Sequence, residues 1–293
     1  MKIFILRHGT TAWNNKRLIQ GQTDIPLDEL GKLMATETGK GLKAAGVSFD
    51  KVYSSPLSRS YETAEIVLRE LCGSNGDSCT TSSECHLNES QNTFNITTDD
   101  RLKELHFGFM DGGSVFEMTE DEHCPFRYFK TAPNLYEKEL LALRNSEPSS
   151  SEDLPDQENV PATKTLSDGD SKSPTPELLS ELCLRAKDFM INVIEPLASS
   201  GTDDSSDSAF GNNAATHDNT VLISAHGALS KAILMYVRGE SDLAKFWGDG
   251  LLPNCGIAIV ELIIDAGKPV YKILNSSVVY YDESIQDKAP KLL

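Results

Sequence analysis

The chain has 293 residues, with 27 basic and 44 acidic side chains and a formal net charge of −17 at pH 7. Such a length buries a large core without disulfide or metal staples, and the acidic balance argues against a nucleic-acid footprint, which neutralises phosphates with basic patches. No apolar run approaches the ~20 residues of a membrane span. Neither a nucleic acid nor a membrane is therefore expected as a partner. Residues 1–6 are too short for a signal-peptide core and run directly into Arg7 and His8, so a cytoplasmic protein is expected. The six cysteines form no C-x-x-C pair and read as reduced thiols. Asn88, Asn95 and Asn275 each open a glycosylation-like tripeptide, read as chance.

In chain order, residues 2–6, 51–54, 220–224 and 256–264 are short apolar, β-branched-rich runs suited to strands buried on both faces. After the second run, Leu57, Tyr61, Ala64, Leu68 and Leu71 form one stripe of an amphipathic helix, with Ser55 placed to cap it and Pro56 in its first turn. Leu178, Leu182, Ala186, Phe189 and Val193 form a second stripe, which Pro196 is expected to end. Residues 228–237 form a third helix, with Gly239 as its stop. This alternation predicts an α/β fold, a three-layer α/β/α sandwich around a mostly parallel central sheet.

Three segments depart from the rest. Residues 72–98, 134–176 and 201–219 are acidic and rich in Ser, Thr, Asn or Asp, and bury too little apolar surface to offset the entropy of ordering. They hold 89 residues and −12 of the charge, which leaves 204 residues at −5. The chain is accordingly read as a single domain, 1–293, with loop insertions at those three places.

Ligands of open α/β sheets sit outside the carboxyl ends of the strands. Arg7-His8-Gly9-Thr10 follows the first run, Ser54 to Arg59 the second, and Ala225-His226-Gly227 the third. Two arginines and two histidines thus converge on one rim. Each His-Gly pair lets backbone approach a ligand closely. Arg59 falls in the first turn of its helix, where free N–H groups and the dipole favour an anion. Planar guanidinium groups suit phosphoryl oxygens. The residues describe a phosphate site.

At this point the chain resembles a known family. Leu6-Arg7-His8-Gly9-Thr10-Thr11, Trp13-Asn14 and the run from Gln20 to Leu27 resemble the opening of the histidine phosphatase superfamily, in its phosphoglycerate-mutase-like branch. The segment from Ser54 to Ser60 with Thr63-Ala64 is similar to the second arginine box. Arg101 to Gly108 is similar to the acid box, Ser224 to Gly227 to the second histidine box, and Asn254 to Ile257 to a late asparagine-containing strand. The resemblance implies the phosphoglycerate-mutase-like fold, with His8 as the nucleophile that becomes phosphohistidine. It implies Arg7, Arg59 and His226 as binders of the phosphoryl oxygens and Glu104 as general acid and base. Thr10, Asn14, Gln20, Gly21 and Gly227 are expected to contact phosphate or substrate, and no metal or other cofactor is implied. His106 is expected to support the pocket, Trp13 to pack behind the loop, and His86, His123 and His217 to be solvated.

Family resemblance does not fix the reaction. Gln22 stands where cofactor-dependent mutases usually carry an aromatic residue, and the acid box is followed by Glu117, Glu120, Asp121 and Glu122 before any basic residue, Arg127 and Lys130 being nearest. The Gly-Glu-Ser box of phosphatase members has only Gly169-Asp170-Ser171 as a counterpart. The expected function is a metal-independent phosphomonoesterase acting on a small sugar- or acid-phosphate. The alternatives are a phosphoglycerate mutase or bisphosphatase, a protein phosphatase, or an inactive scaffold of the same fold. A small phosphorylated substrate is the expected partner, with monomer and homodimer both open.

Overall fold

The computed structural model describes residues 1–72, 94–146, 175–199 and 219–288. Six strands form one sheet: β1 (Lys2–Arg7), β2 (Lys51–Ser54), β3 (Thr97–Thr98), β4 (Thr220–Ala225), β5 (Ile257–Asp265) and β6 (Lys268–Val278), in the spatial order β3-β2-β4-β1-β5-β6. The first four positions in that order are mutually parallel, while β5 runs antiparallel to β1, and β6 antiparallel to β5. The helices are α1 (Ala12–Asn15), α2 (Glu29–Ala44), α3 (Ser58–Cys72), α4 (Val115–Glu120), α5 (Pro133–Ser146), α6 (Leu179–Phe189), α7 (Glu195–Ser199), α8 (Gly227–Arg238) and α9 (Glu283–Gln286).

The two-residue period of a strand divides the core into two layers. From β1, Ile3 and Ile5 enter one apolar cluster, while Phe4 and Leu6 enter the other. On β4, Val221 and Ile223 take the first side and Leu222 the second. The first cluster is closed by α5, α6 and α8, the second by α2, α3 and α9. Fully burying each Leu or Ile of this kind is worth roughly 1.5–3 kcal/mol, so the central strands are held from both faces. The expected three-layer sandwich with a mostly parallel sheet is what the chain forms.

Several local expectations are corrected. Helix α3 begins at Ser58, and Ser55 is not its cap; the Ser55 hydroxyl accepts from the Leu57 N–H (3.3 Å) in the preceding turn. The cap comes from outside, where Asp24 Oδ1 accepts from the Ser58 N–H (2.8 Å) and hydroxyl (2.7 Å). Pro196 does not end the second helix. A π-helical turn over Met190–Ile194 leads without a break into α7, and Pro196 lies within that continuous helical run. The expected loop 134–176 starts as helix α5, whose Tyr136 and Leu140 are buried in the core. At the end of 72–98, Phe94 is buried and Thr97–Thr98 extends the sheet. Residues 73–93, 147–174 and 201–218, with His86 and His217, lie outside the described residues. Cys72 is disulfide-bonded, which overturns the reading of six reduced thiols; Cys124, Cys183 and Cys255 are free.

Helix α2 was hidden by its glycines, which have poor helix propensity. Gly31 explains their presence: a Cβ there would sit 2.2 Å from the Thr10 carbonyl oxygen. The helix lies directly on the backbone of the loop after β1, with Gly9 opposite Gly31.

Candidate active site

The loop after β1 is fixed mostly by backbone bonds. His8 N–H donates to the Ala225 carbonyl at the end of β4 (3.1 Å), and Arg7 N–H to Gly256 (3.0 Å). Asn254 Nδ2 donates to the carbonyls of His8 (3.1 Å) and Gly9 (3.2 Å). The Thr63 hydroxyl accepts from the Gly9 N–H (3.1 Å) and donates to the Arg59 carbonyl (2.6 Å), so one side chain couples the two arginine-bearing segments. Ser60, next to Arg59, meets Ser224 of β4 at 3.1 Å.

His8 Nδ1 lies 2.7 Å from the Gly9 carbonyl. A carbonyl only accepts, so Nδ1 carries the proton and Nε2 keeps its lone pair. His8 and His226 face each other with ring centroids 5.2 Å apart, both buried. Burial, then the charges of Arg59 and Arg7, hold His8 well below the ordinary imidazole range; burial and Arg59 lead the same effect on His226. Neither nitrogen of His226 has a protein partner. Arg59 is fully buried, its Nη2 donating to Gly21 (2.6 Å) and Nη1 to the Thr23 carbonyl (3.0 Å). Arg7 Nη1 donates to Leu252 (2.5 Å). The Nε of both arginines is buried without a partner. Burial pushes both guanidinium groups down to about 10, partly offset by Glu104, so they remain cationic near neutral pH. Two buried cations, a neutral imidazole and unspent donors form a site prepared for an anion.

Glu104 reaches the same place from the segment before Phe107. Its carboxylate accepts from the N–H groups of Leu105 (2.9 Å), Ala228 (3.1 Å) and Leu229 (3.1 Å), at the N-terminus of α8. Gly227 lies at this junction: a Cβ there would make ordinary contact with Glu104 Oε2 (3.5 Å) and Arg7 Nε (3.7 Å) and would press on the Leu251 side chain at 2.8 Å.

The other expected contacts divide. Asn14 and Gln20 line the pocket beside His8; Asn14 Nδ2 donates to Gln20 Oε1 (3.3 Å), and Gln20 Nε2 is buried without a partner. Gly21 holds the loop instead of lining the pocket: its N–H donates to Asp111 Oδ1 (2.7 Å) and its carbonyl accepts from Arg59. Thr10 is buried and is not among the pocket-lining residues; its hydroxyl donates to Asp28 Oδ1 (2.6 Å), the carboxylate that also caps α2 through Gly31. His106 is pinned through its backbone, its N–H donating to Glu177 Oε2 (3.0 Å). Trp13 packs against Gly112, and His123 is exposed.

Sequence reasoning missed Arg185 on α6. It donates to the carbonyls of Arg101 (2.7 Å), Lys103 (2.6 Å) and Glu104 (2.9 Å) while paired with Glu177 at 2.6 Å. Gln22 Nε2 shares the Glu104 carbonyl (3.0 Å). Arg185 therefore braces the backbone that presents Glu104. Its only sequence signal was a basic residue off the apolar stripe of a helix, which describes most solvated arginines equally well. The pocket beside His8 is otherwise lined by Leu18, Ile19, Phe107, Val115, Phe126, Phe129, Ala228, Trp247 and Leu251. Among the described residues, no group of three or more His, Cys, Asp or Glu is arranged to hold a metal ion, and no helix is long and apolar enough to cross a membrane.

Residues 3–75 match the family model of the histidine phosphatase superfamily (branch 1). Curated relatives from Salmonella arizonae and Salmonella newport, each named "Probable phosphoglycerate mutase GpmB", are 32% identical over 122 residues, 42% of this chain and 46% of theirs. The chain thus spans about half the length of the curated relatives it matches. Among solved structures, Bacillus stearothermophilus YhfR superposes with a TM-score of 0.60 at 22% identity, covering 96% of this chain and 99% of that one. The mycobacterial glucosyl-3-phosphoglycerate phosphatase superposes with a TM-score of 0.60 at 18% identity, covering 94% and 98%. The resemblance to the histidine phosphatase superfamily is borne out by the family-model match over residues 3–75, and the fold by the structural superpositions.

Proposed function

We propose, from its resemblance to the histidine phosphatase superfamily, that the chain is a metal-independent phosphomonoesterase working through a phosphohistidine on His8. The observation that carries this reading is the His8 Nδ1–H held on the Gly9 carbonyl, which leaves Nε2 free beside buried Arg7, Arg59 and His226. Nε2 attacks phosphorus in line, the bond to the ester oxygen breaks, and Glu104 gives that oxygen its proton. Arg7, Arg59 and His226 stabilise the charge spread over the three equatorial oxygens. In the second half, Glu104 takes a proton from water, whose oxygen attacks phosphorus. The N–P bond breaks and inorganic phosphate leaves. Asn14 and Gln20 are the further phosphate contacts.

The test is hydrolysis of p-nitrophenyl phosphate with a chelator present, with an acid-labile phosphoenzyme trapped on wild type and absent from His8→Ala. A phosphoenzyme that persists in His8→Ala overturns the assignment, and loss of turnover with the chelator overturns metal independence. The curated relatives named as mutases favour a second reading, phosphoglycerate mutase. Conversion of 3- to 2-phosphoglycerate primed by 2,3-bisphosphoglycerate would establish it.

A further inference from the structure

The pocket that opens beside His8 and Glu104 has two unlike walls. One carries Arg7, His8, Asn14, Gln20 and Glu104; the other is apolar. Its floor is the aromatic group Phe107, Phe126 and Phe129, with Phe107 edge-on to Phe129 at 5.2 Å and Phe126 stacked on Phe129 at 5.1 Å. Its accessible sides are the half-buried Leu18, Val115, Trp247 and Leu251. Trp247 is held in place, its ring meeting Phe129 at 5.0 Å and its Nε1 donating to the Phe129 carbonyl (2.6 Å). This wall is built, since the ring that closes it is fixed by both a hydrogen bond and an aromatic contact.

Charge around the pocket points the same way. Among the described residues that line it, Arg7 is the one fixed cation, and it belongs to the phosphate end. Arg127, the first basic residue after the acid box, lies over the Tyr128 ring at 4.5 Å and donates to its hydroxyl. Lys130 lines a separate hollow, with Arg238 and Lys245, that shares Trp247 with this one. Among the described residues, a second anionic group on the substrate would enter beside Glu104 with no cation beyond Arg7 to meet it, and would desolvate against aromatic rings. An apolar group would instead replace water there at a gain.

We infer that this pocket receives the leaving group and selects phosphate monoesters of apolar alcohols, alkyl or aryl, over esters that carry a second acid. The inference rests on the phosphomonoesterase reading, and it revises the expected sugar- or acid-phosphate class. The test compares kcat/KM for ethyl, butyl and hexyl phosphate with that for 3-phosphoglycerate, all of them esters of alcohols with poor alkoxide leaving groups. Because single methylenes in an apolar pocket are worth roughly tenfold or more, kcat/KM should rise by at least about tenfold from ethyl to hexyl phosphate, with 3-phosphoglycerate below hexyl phosphate. In Trp247→Ala the dependence on chain length should flatten; Leu251→Ala serves if the first variant fails to fold. A flat series, or 3-phosphoglycerate ahead of hexyl phosphate, overturns the pocket assignment while p-nitrophenyl phosphate is still hydrolysed. Loss of hydrolysis of every ester, p-nitrophenyl phosphate included, overturns the phosphomonoesterase reading instead.

Discussion

The two ends of the site are built on different principles. At the end proposed to hold phosphate, Arg7, His8, Arg59 and His226 are polar and buried, and the first three are held by named acceptors: Gly9, Gly21, Thr23 and Leu252. At the leaving-group end, Phe107, Phe126, Phe129 and Trp247 hold one another by shape and contact. The first end tolerates few residue types, because each group must supply a particular lone pair or charge. The second needs volume and apolarity, which several residue types supply. On the proposed reading, chemistry is concentrated where substitution is least free, and selectivity where it is freer.

Variants separate the two ends by their effect on different esters. The largest effect belongs to His8→Ala, which should lower kcat by at least about 10⁴-fold on good and poor leaving groups alike, since loss of a nucleophile removes the covalent route; steady-state kinetics on p-nitrophenyl and hexyl phosphate check this. Glu104→Gln comes next. It should slow hexyl phosphate by ~10²–10⁴-fold and p-nitrophenyl phosphate far less, because only the alkoxide needs a proton. Equal slowing of both would make Glu104 structural. Arg185→Gln should show the same leaving-group pattern at about tenfold, since it moves Glu104 without touching substrate; a uniform fall in activity would reduce Arg185 to a fold-stabilising residue.

The smallest effect is on stability. His8 and His226 are held neutral in the fold well below the ordinary imidazole value, whereas the unfolded chain takes up those protons near pH 6.5. Stability from this source is present above that pH and is lost as pH falls. Two such groups should cost about 1.4 kcal/mol between pH 7 and pH 6, read from denaturant midpoints, and His8→Ala should halve the fall.

The difference between the two ends also governs what the sequence reveals. Strand β4 and helix α8 were readable because their apolar periods agree with their burial, and Gly239 stops α8 at φ 64°. The phosphate residues were readable because Arg-His-Gly and Ala-His-Gly follow strands, where open sheets bind ligands. Helix α2 was not, since the glycine that lets it lie on the Thr10 backbone also weakens its helical signal. Helix α5 was masked by an acidic, Ser-rich neighbourhood, although Tyr136 and Leu140 bury themselves at i and i+4. Adjacency in sequence to His8 does not tell which way the Thr10 hydroxyl points. Asp28, eighteen residues on, decides that. The aromatic pocket combines residues from four separate stretches, and no local pattern announces such a meeting.

Strand β1 has a consequence for how the protein is made. The residues that precede Arg7 and His8 find their partners at residues 220–225 and 257–261, at the opposite end of the chain. On the ribosome, β1 emerges before its partner strands and waits with both edges unpaired until more than two hundred further residues have followed. An unpaired apolar strand is a hazard for association with other chains, so synthesis places a demand on chaperones that the finished molecule no longer shows. The same delay acts as a safeguard. A product cut short before β4 and β5 has neither His226 nor the carbonyl of Ala225 that accepts from the His8 N–H, so both strands must follow before these groups can meet.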